Sequence, residues 1–238
     1  MKLLTLLALI ISASAFTVAQ ERAIDKAEFE AAVNGTDAHK IKWAGQSYRI
    51  EVTSSAKMLN RTDSDHSGQI IVEFGPDGTR RSHMTSTFAG HTTSSDRLAY
   101  GDSVYTRENG GRWSVAARQK PGASADGHDS ASTDSAPRKV LSSDITYFIM
   151  GSERYREGTA TLYRTVEKTR EADPTTGDES ESVRTNVYWI VDGMQRRHVL
   201  RSQNRYPKFE SINITATEWT LDPTIKFTAP PIGSGKQN

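Results

Sequence analysis

The chain has 238 residues, with 30 Lys and Arg against 29 Asp and Glu, and no cysteine. A formal charge of +1 argues against a dedicated nucleic-acid binder, whose domain is normally strongly basic. The missing thiols exclude disulfides, so the core must hold without covalent help.

At the N-terminus a basic tip (Lys2) precedes an apolar run from Leu3 to Ile11 and then small residues, the pattern of a secretory signal peptide. Ala13-Ser14-Ala15 and Thr17-Val18-Ala19 both offer a cleavage site. The leader is therefore assigned to residues 1–19 and a single domain to 20–238. The apolar run is too short to span a bilayer, and there is no cysteine to carry a lipoprotein-type acyl anchor. The expectation is an exported protein, periplasmic or secreted.

Residues 23–33 (AIDKAEFEAAV) are rich in good helix formers, with Asn34-Gly35 as a stop, and predict a short helix. From His39 the period changes to two. Tyr48, Ile50 and Val52 alternate with Arg49 and Glu51, as in a half-buried strand. Residues 60–68 read as a polar loop. Ile70, Val72 and Phe74 form a second strand, and Gly75-Pro76-Asp77-Gly78 turns the chain. Between Arg97 and Ala116, turn signals at Gly101-Asp102 and Asn109-Gly110-Gly111 separate three short strands centred on Tyr100, Tyr105 and Trp113.

Residues 119–139 are Ser, Ala, Asp and Gly with almost no apolar content, which predicts a flexible insert. Leu141, Ile145, Phe148 and Ile149 fall at helical spacing and predict a second helix. Residues 159–169 read as a strand and 171–182 as an acidic loop.

The densest apolar stretch follows. In Val187-Tyr188-Trp189-Ile190-Val191 every residue is β-branched or aromatic. Val187, Trp189 and Val191 fall on one face and Tyr188 and Ile190 on the other. Both faces therefore need cover. Asp192-Gly193 predicts a two-residue hairpin turn. The return strand carries Arg196, Arg197, His198 and Arg201 and reads as an outer or solvent-facing member. Residues 211–220 and 224–228 complete a set of roughly nine or ten strands.

Catalytic signals are missing. The six histidines show no metal-ligand spacing and read as surface side chains. No nucleophile elbow, phosphate loop or dinucleotide fingerprint occurs. Asp77 and Asp192 occupy turn positions that Asp fills for backbone reasons. Arg80, Arg81, Arg107, Arg112, Arg196 and Arg197 lie near hairpin turns. They read as a solvated strand face or as a positive rim drawn to anionic headgroups.

Four stretches, in order, resemble one family. Gly101-Asp102-Ser103-Val104-Tyr105-Thr106-Arg107 followed by Gly110-Gly111-Arg112-Trp113 is similar to a hairpin of the LolA-like family and its LppX/LprG-like relatives. Glu73-Phe74-Gly75-Pro76-Asp77 with Arg80 resembles its preceding hairpin. The run from Tyr188 to Met194 with Arg196-Arg197, and the closing Ile225 to Pro230, resemble its later strands. Together they cover residues 48–230. The resemblance implies an α+β fold: a strongly curved antiparallel sheet, an incomplete β-barrel, with a few helices covering the open side. It also implies a cavity for acyl chains. There are two departures from the family: the absent lipoprotein cysteine, and the 119–139 insert.

The expected function is an exported, non-catalytic carrier or sensor that binds a lipid or lipoprotein acyl chain. Ile50, Val52, Ile70, Val72, Tyr105, Trp113 and Trp189 would line the site. No cofactor, metal or nucleic acid is expected; a membrane surface or an envelope protein would be a further partner. The rival is a closed β-sandwich, an envelope or adhesion module acting through its surface.

Overall fold

A computed structural model describes residues 21–33, 45–59, 61–118, 138–156 and 158–232. The expected leader, and all of the expected insert except Arg138 and Lys139, lie outside the described residues. The elements are β1 (Arg22–Ile24), α1 (Lys26–Val33), β2 (Tyr48–Met58), β3 (Arg61–Phe74), β4 (Arg80–Phe88), β5 (His91–Tyr100), β6 (Ser103–Glu108) and β7 (Ser114–Ala117). After the insert come β8 (Lys139–Tyr155), β9 (Gly158–Ala172), β10 (Glu179–Val191), β11 (Met194–Arg205) and β12 (Glu210–Leu221).

Among the described residues, all twelve strands belong to one open, strongly curved antiparallel sheet, ordered β1-β8-β9-β10-β11-β12-β2-β3-β4-β5-β6-β7. Two hairpin meanders, β2 to β7 and β8 to β12, are joined where the last strand of one pairs with the first of the other. Local chemistry sets the turns. Asp192 and Gly193 sit at φ 51° and 70°, the left-handed pair that a two-residue hairpin requires.

Bulges bend the long strands. The β8–β9 ladder shifts register between Ile149 and Gly151, and the β10–β11 ladder between Trp189 and Ile190, and such an extra residue kinks a strand. Tyr155 on β8 thereby reaches Glu218 on β12. In a flat sheet, strands four places apart would lie about 19 Å from each other, at about 4.8 Å per step. The sheet is curled.

The core is thin. Phe29 and Val33 of α1 are buried, with the Phe29 ring 5.1 Å from Tyr147 and 5.6 Å from Tyr188. On the other face Ala160, Leu162 and Val191 cluster with Met150, Tyr155 and Trp189. Among the described residues no large side chain falls below 2% exposure.

Several expectations are corrected. Residues 141–149 form part of β8, not a helix. β-Branched and aromatic side chains dominate residues 145–149, and fifteen residue pairs to β9 override the helical spacing. One helix is therefore described, not several. Residues 61–68 are strand, because ladder bonds are made by the backbone and tolerate polar side chains. The acidic loop shrinks to residues 173–178, since Glu179 already pairs with Ala172. Residues 224–228 join no strand. β11 is no outer strand: it lies between β10 and β12, and its polar side chains find rings, Arg197 over Trp189 at 4.9 Å and His198 stacked on Tyr188 at 4.6 Å. His198 is therefore no surface histidine, and burial holds its pKa below the ordinary value.

Candidate functional site

Residues directly opposite one another in an antiparallel ladder share a face, so the register sorts the side chains. Tyr188 opposes His198, which opposes Thr217, then Val52, then Ile70, then Met84. One step along, Trp219 opposes Ile50, which opposes Val72. These two rows occupy the face on which α1 sits: Tyr188 lies against Phe29 of the helix, and the other residues follow across the neighbouring strands. Val72 is buried, Ile50, Val52 and Trp219 are half-buried, and Ile70 and Met84 are 37% and 44% exposed. The result is a partly exposed apolar strip.

The opposite face is charged. Arg49, Glu73, Arg81, Leu98 and Tyr105 follow one another across β2 to β6. Glu73 is only 4% exposed and accepts hydrogen bonds from Arg49 at 2.7 Å and Arg81 Nε at 2.6 Å. Beside it Asp96 accepts from Arg107 Nε at 2.6 Å and pairs with His83 Nδ1 at 2.8 Å. Burial alone would raise the Asp96 pKa, but the bonds and charges of Arg107 and His83 outweigh it and leave the carboxyl below its ordinary value. Arg107 also lies 4.8 Å from the Trp113 ring.

The seven expected site residues thus divide. Ile50, Val52, Ile70 and Val72 come together on the apolar face. Tyr105 and Trp189 point to the other face, where Trp189 Nε1 donates to Glu153 at 2.6 Å. Trp113 lies against Arg107 of that same face. Sequence reasoning missed Met84 and Trp219. Each sits in a polar stretch, and only the register across strands reveals the row to which it belongs.

The arginines expected to form a rim are mostly engaged by carboxylates and rings. Arg80 lies over Phe74 at 5.4 Å, Arg81 over Phe227 at 5.8 Å, and Arg107 and Arg197 as above. Arg196 is half-buried. It helps line a cleft of about 420 Å³ where the β8–β9 and β10–β11 hairpins meet the end of β12, with Tyr155, Arg156, Val191, Asp192, Trp219 and Leu221 among its walls. Behind it, Tyr155 Oη donates to Glu218 Oε1 at 2.5 Å and Arg156 Nη2 donates to the same oxygen at 2.6 Å. Burial, then the Glu218 charge and bond, push the Tyr155 pKa up to about 12.

No protein-family model matches the chain, and no curated protein matches it. Among the described residues no three His, Asp or Glu side chains converge as metal ligands, and no helix is long and apolar enough to cross a membrane.

Proposed function

We propose that the chain is an exported, non-catalytic carrier or sensor of the LolA-like kind, holding a lipid or lipoprotein acyl chain against the apolar face of its sheet. The observation that carries this reading is the half-exposed strip formed by Trp219, Ile50 and Val72 beside Val52, Ile70 and Met84. Water-exposed apolar strips of this kind mark interaction sites. An acyl chain laid along one gains about 0.8 kcal/mol for each methylene it buries. The thin core supports the same reading, since a closed sandwich would fill its interior with the side chains that here stand half open. A closed sandwich also needs two packed sheets, and the twelve strands form one.

Extraction of the protein from its native host with chloroform and methanol, followed by mass spectrometry, tests the reading. A near-stoichiometric lipid is expected, and it should vanish in Ile70→Asp while the fold survives. A lipid-free extract from correctly folded wild type would sink the proposal.

A further inference from the structure

β8 leaves half of one edge open. β1 covers it only at Tyr147, Phe148 and Ile149, and among the described residues no strand pairs with residues 139–146 on that side. Residues 139–145 are all exposed, Val140, Leu141 and Ile145 by 56%, 43% and 45%. An uncovered edge of this kind is a template for another strand. Its side chains restrict which strand fits. Lys139 and Asp144 carry the two charges of the open stretch, and among the described residues neither is engaged in an ion pair. The ladder to β9 fixes how they are placed. It shifts register between Val140 and Ser142, which makes Leu141 an extra residue. Lys139, Ser142 and Asp144 then stand opposite Ala172, Arg170 and Lys168, alternate residues of β9. The three therefore share a face at even spacing, with Ser142 midway between the opposite charges. Val140, Ser143 and Ile145 fall on the other face.

We infer that this edge pairs with the same edge of a second copy of the chain, antiparallel, about a twofold axis through Ser142. Ser142 then faces its own counterpart, and Lys139 of each copy lies opposite Asp144 of the other. The symmetry repeats the charge match on both sides of the axis, as a self-complementary interface requires. On the other face Val140 of each copy meets Ser143 of the other, and no charge is set against an apolar side chain. Other pairings lose the match. Moving the axis to Ser143 sets Lys139 opposite Thr146 and Asp144 opposite Ser142, and an in-register parallel pair sets like charge against like. An unrelated strand leaves both charges unmatched, and charged side chains are a common guard on open edges. The residues that discourage general pairing are thus the ones a second copy satisfies. The axis stands at β8, five places along the sheet from β2, so the carrier reading neither supports this pairing nor falls with it.

Sedimentation of the full chain from about 1 μM to 1 mM, the range of weak specific association, tests the pairing. Wild type should pass from monomer to dimer. Lys139→Asp and Asp144→Lys each turn two attractive contacts into repulsive ones. Each should weaken the dimer about tenfold or more, and less in concentrated salt. An equimolar mixture of the two variants should form a heterodimer, because one edge then carries only acidic and the other only basic side chains. Both positions are exposed, so the variants should fold, and circular dichroism of each checks that they do. Ser142→Cys gives a second readout in a chain without cysteine. Directly opposite residues stand about 4.5–5.5 Å apart, within disulfide reach. Mild oxidation should therefore link Ser142→Cys to its own copy and leave Ser143→Cys largely unlinked. A wild type that stays monomeric throughout would overturn the pairing, whatever else covers the edge. So would a dimer that both charge variants leave intact, or a mixture that fails to re-form it. Equal linking at positions 142 and 143 would overturn the axis through Ser142.

Discussion

Tyr155 and Glu218 stand on strands separated by three others, yet the phenol donates to the carboxylate at 2.5 Å. The contact ties the tip of the β8–β9 hairpin to β12 and holds the curl of the sheet at that end. Arg156 bonds the same oxygen, so removing the phenol alone leaves Glu218 with a partner. Tyr155→Phe should therefore cost about 1 kcal/mol, the net worth of one hydrogen bond, in chemical denaturation at neutral pH. The variant should also lose a pH dependence. The folded pKa of about 12 lies above the unfolded value near 10. The contribution is thus complete below about pH 10 and disappears as pH rises towards 12. Wild type should lose stability more steeply than Tyr155→Phe across that window, and parallel curves would show that the contact is not made in solution.

His198 behaves in the opposite sense. It stacks on Tyr188 and its Nε2 lies 3.0 Å from Asn186 Oδ1, and burial lowers its pKa. As pH falls below about 6.5, the unfolded histidine takes up a proton that the folded one resists. Stability is then lost progressively until the folded pKa is passed. His198→Gln should flatten the stability profile between about pH 6.5 and 5. Denaturant midpoints measured at half-unit steps check this; an unchanged slope would mean that His198 is hydrated.

Alternation within a strand was legible from sequence. Tyr48, Ile50 and Val52 keep the predicted period, and Asp192-Gly193 makes the predicted turn. The parity between strands was not legible. Whether Trp189 shares a face with Ile50 depends on the register of every ladder between them, and on a bulge that no local pattern announces. The same limit hid Met84 and Trp219. It also placed Tyr105 and Trp189 beside residues that lie on the other side of the sheet. The helix expected at 141–149 failed for a related reason: spacing is a local signal, and the pairing of β8 with β9 is not.

Gly75 makes a close approach that no local sequence pattern announces. A Cβ there would lie 2.9 Å from the Phe227 ring and 2.8 Å from the Asp77 carboxylate, and Asp77 Oδ1 accepts the Thr79 amide at 2.9 Å. Gly75→Ala must therefore displace either the aromatic ring or the turn. A loss of about 1–3 kcal/mol is expected, in the range for overpacking. Phe227→Ala in the same background should relieve part of it, since the ring would no longer block the methyl. Additive losses in that double-mutant cycle would place Phe227 elsewhere in solution.

Leu98 and Ile70 separate what the chain needs to fold from what it offers to a ligand. Leu98 is 4% exposed, whereas Ile70 is 37% exposed. Leu98→Ala should cost about 2–4 kcal/mol through the cavity it leaves. Ile70→Ala, at a site already open to water, should cost less than about 1 kcal/mol. On binding the order should invert. Ile70→Ala removes apolar contact from the strip and should weaken the binding of two amphiphiles, dodecyl phosphate and monolauroylglycerol, together, by about three- to tenfold. Leu98→Ala, on the charged face, should leave both affinities unchanged at temperatures where it is folded. Thermal unfolding and fluorescence titration on the same samples give the comparison, and an Ile70→Ala protein that binds like wild type would remove the apolar strip from consideration as the acyl-chain surface.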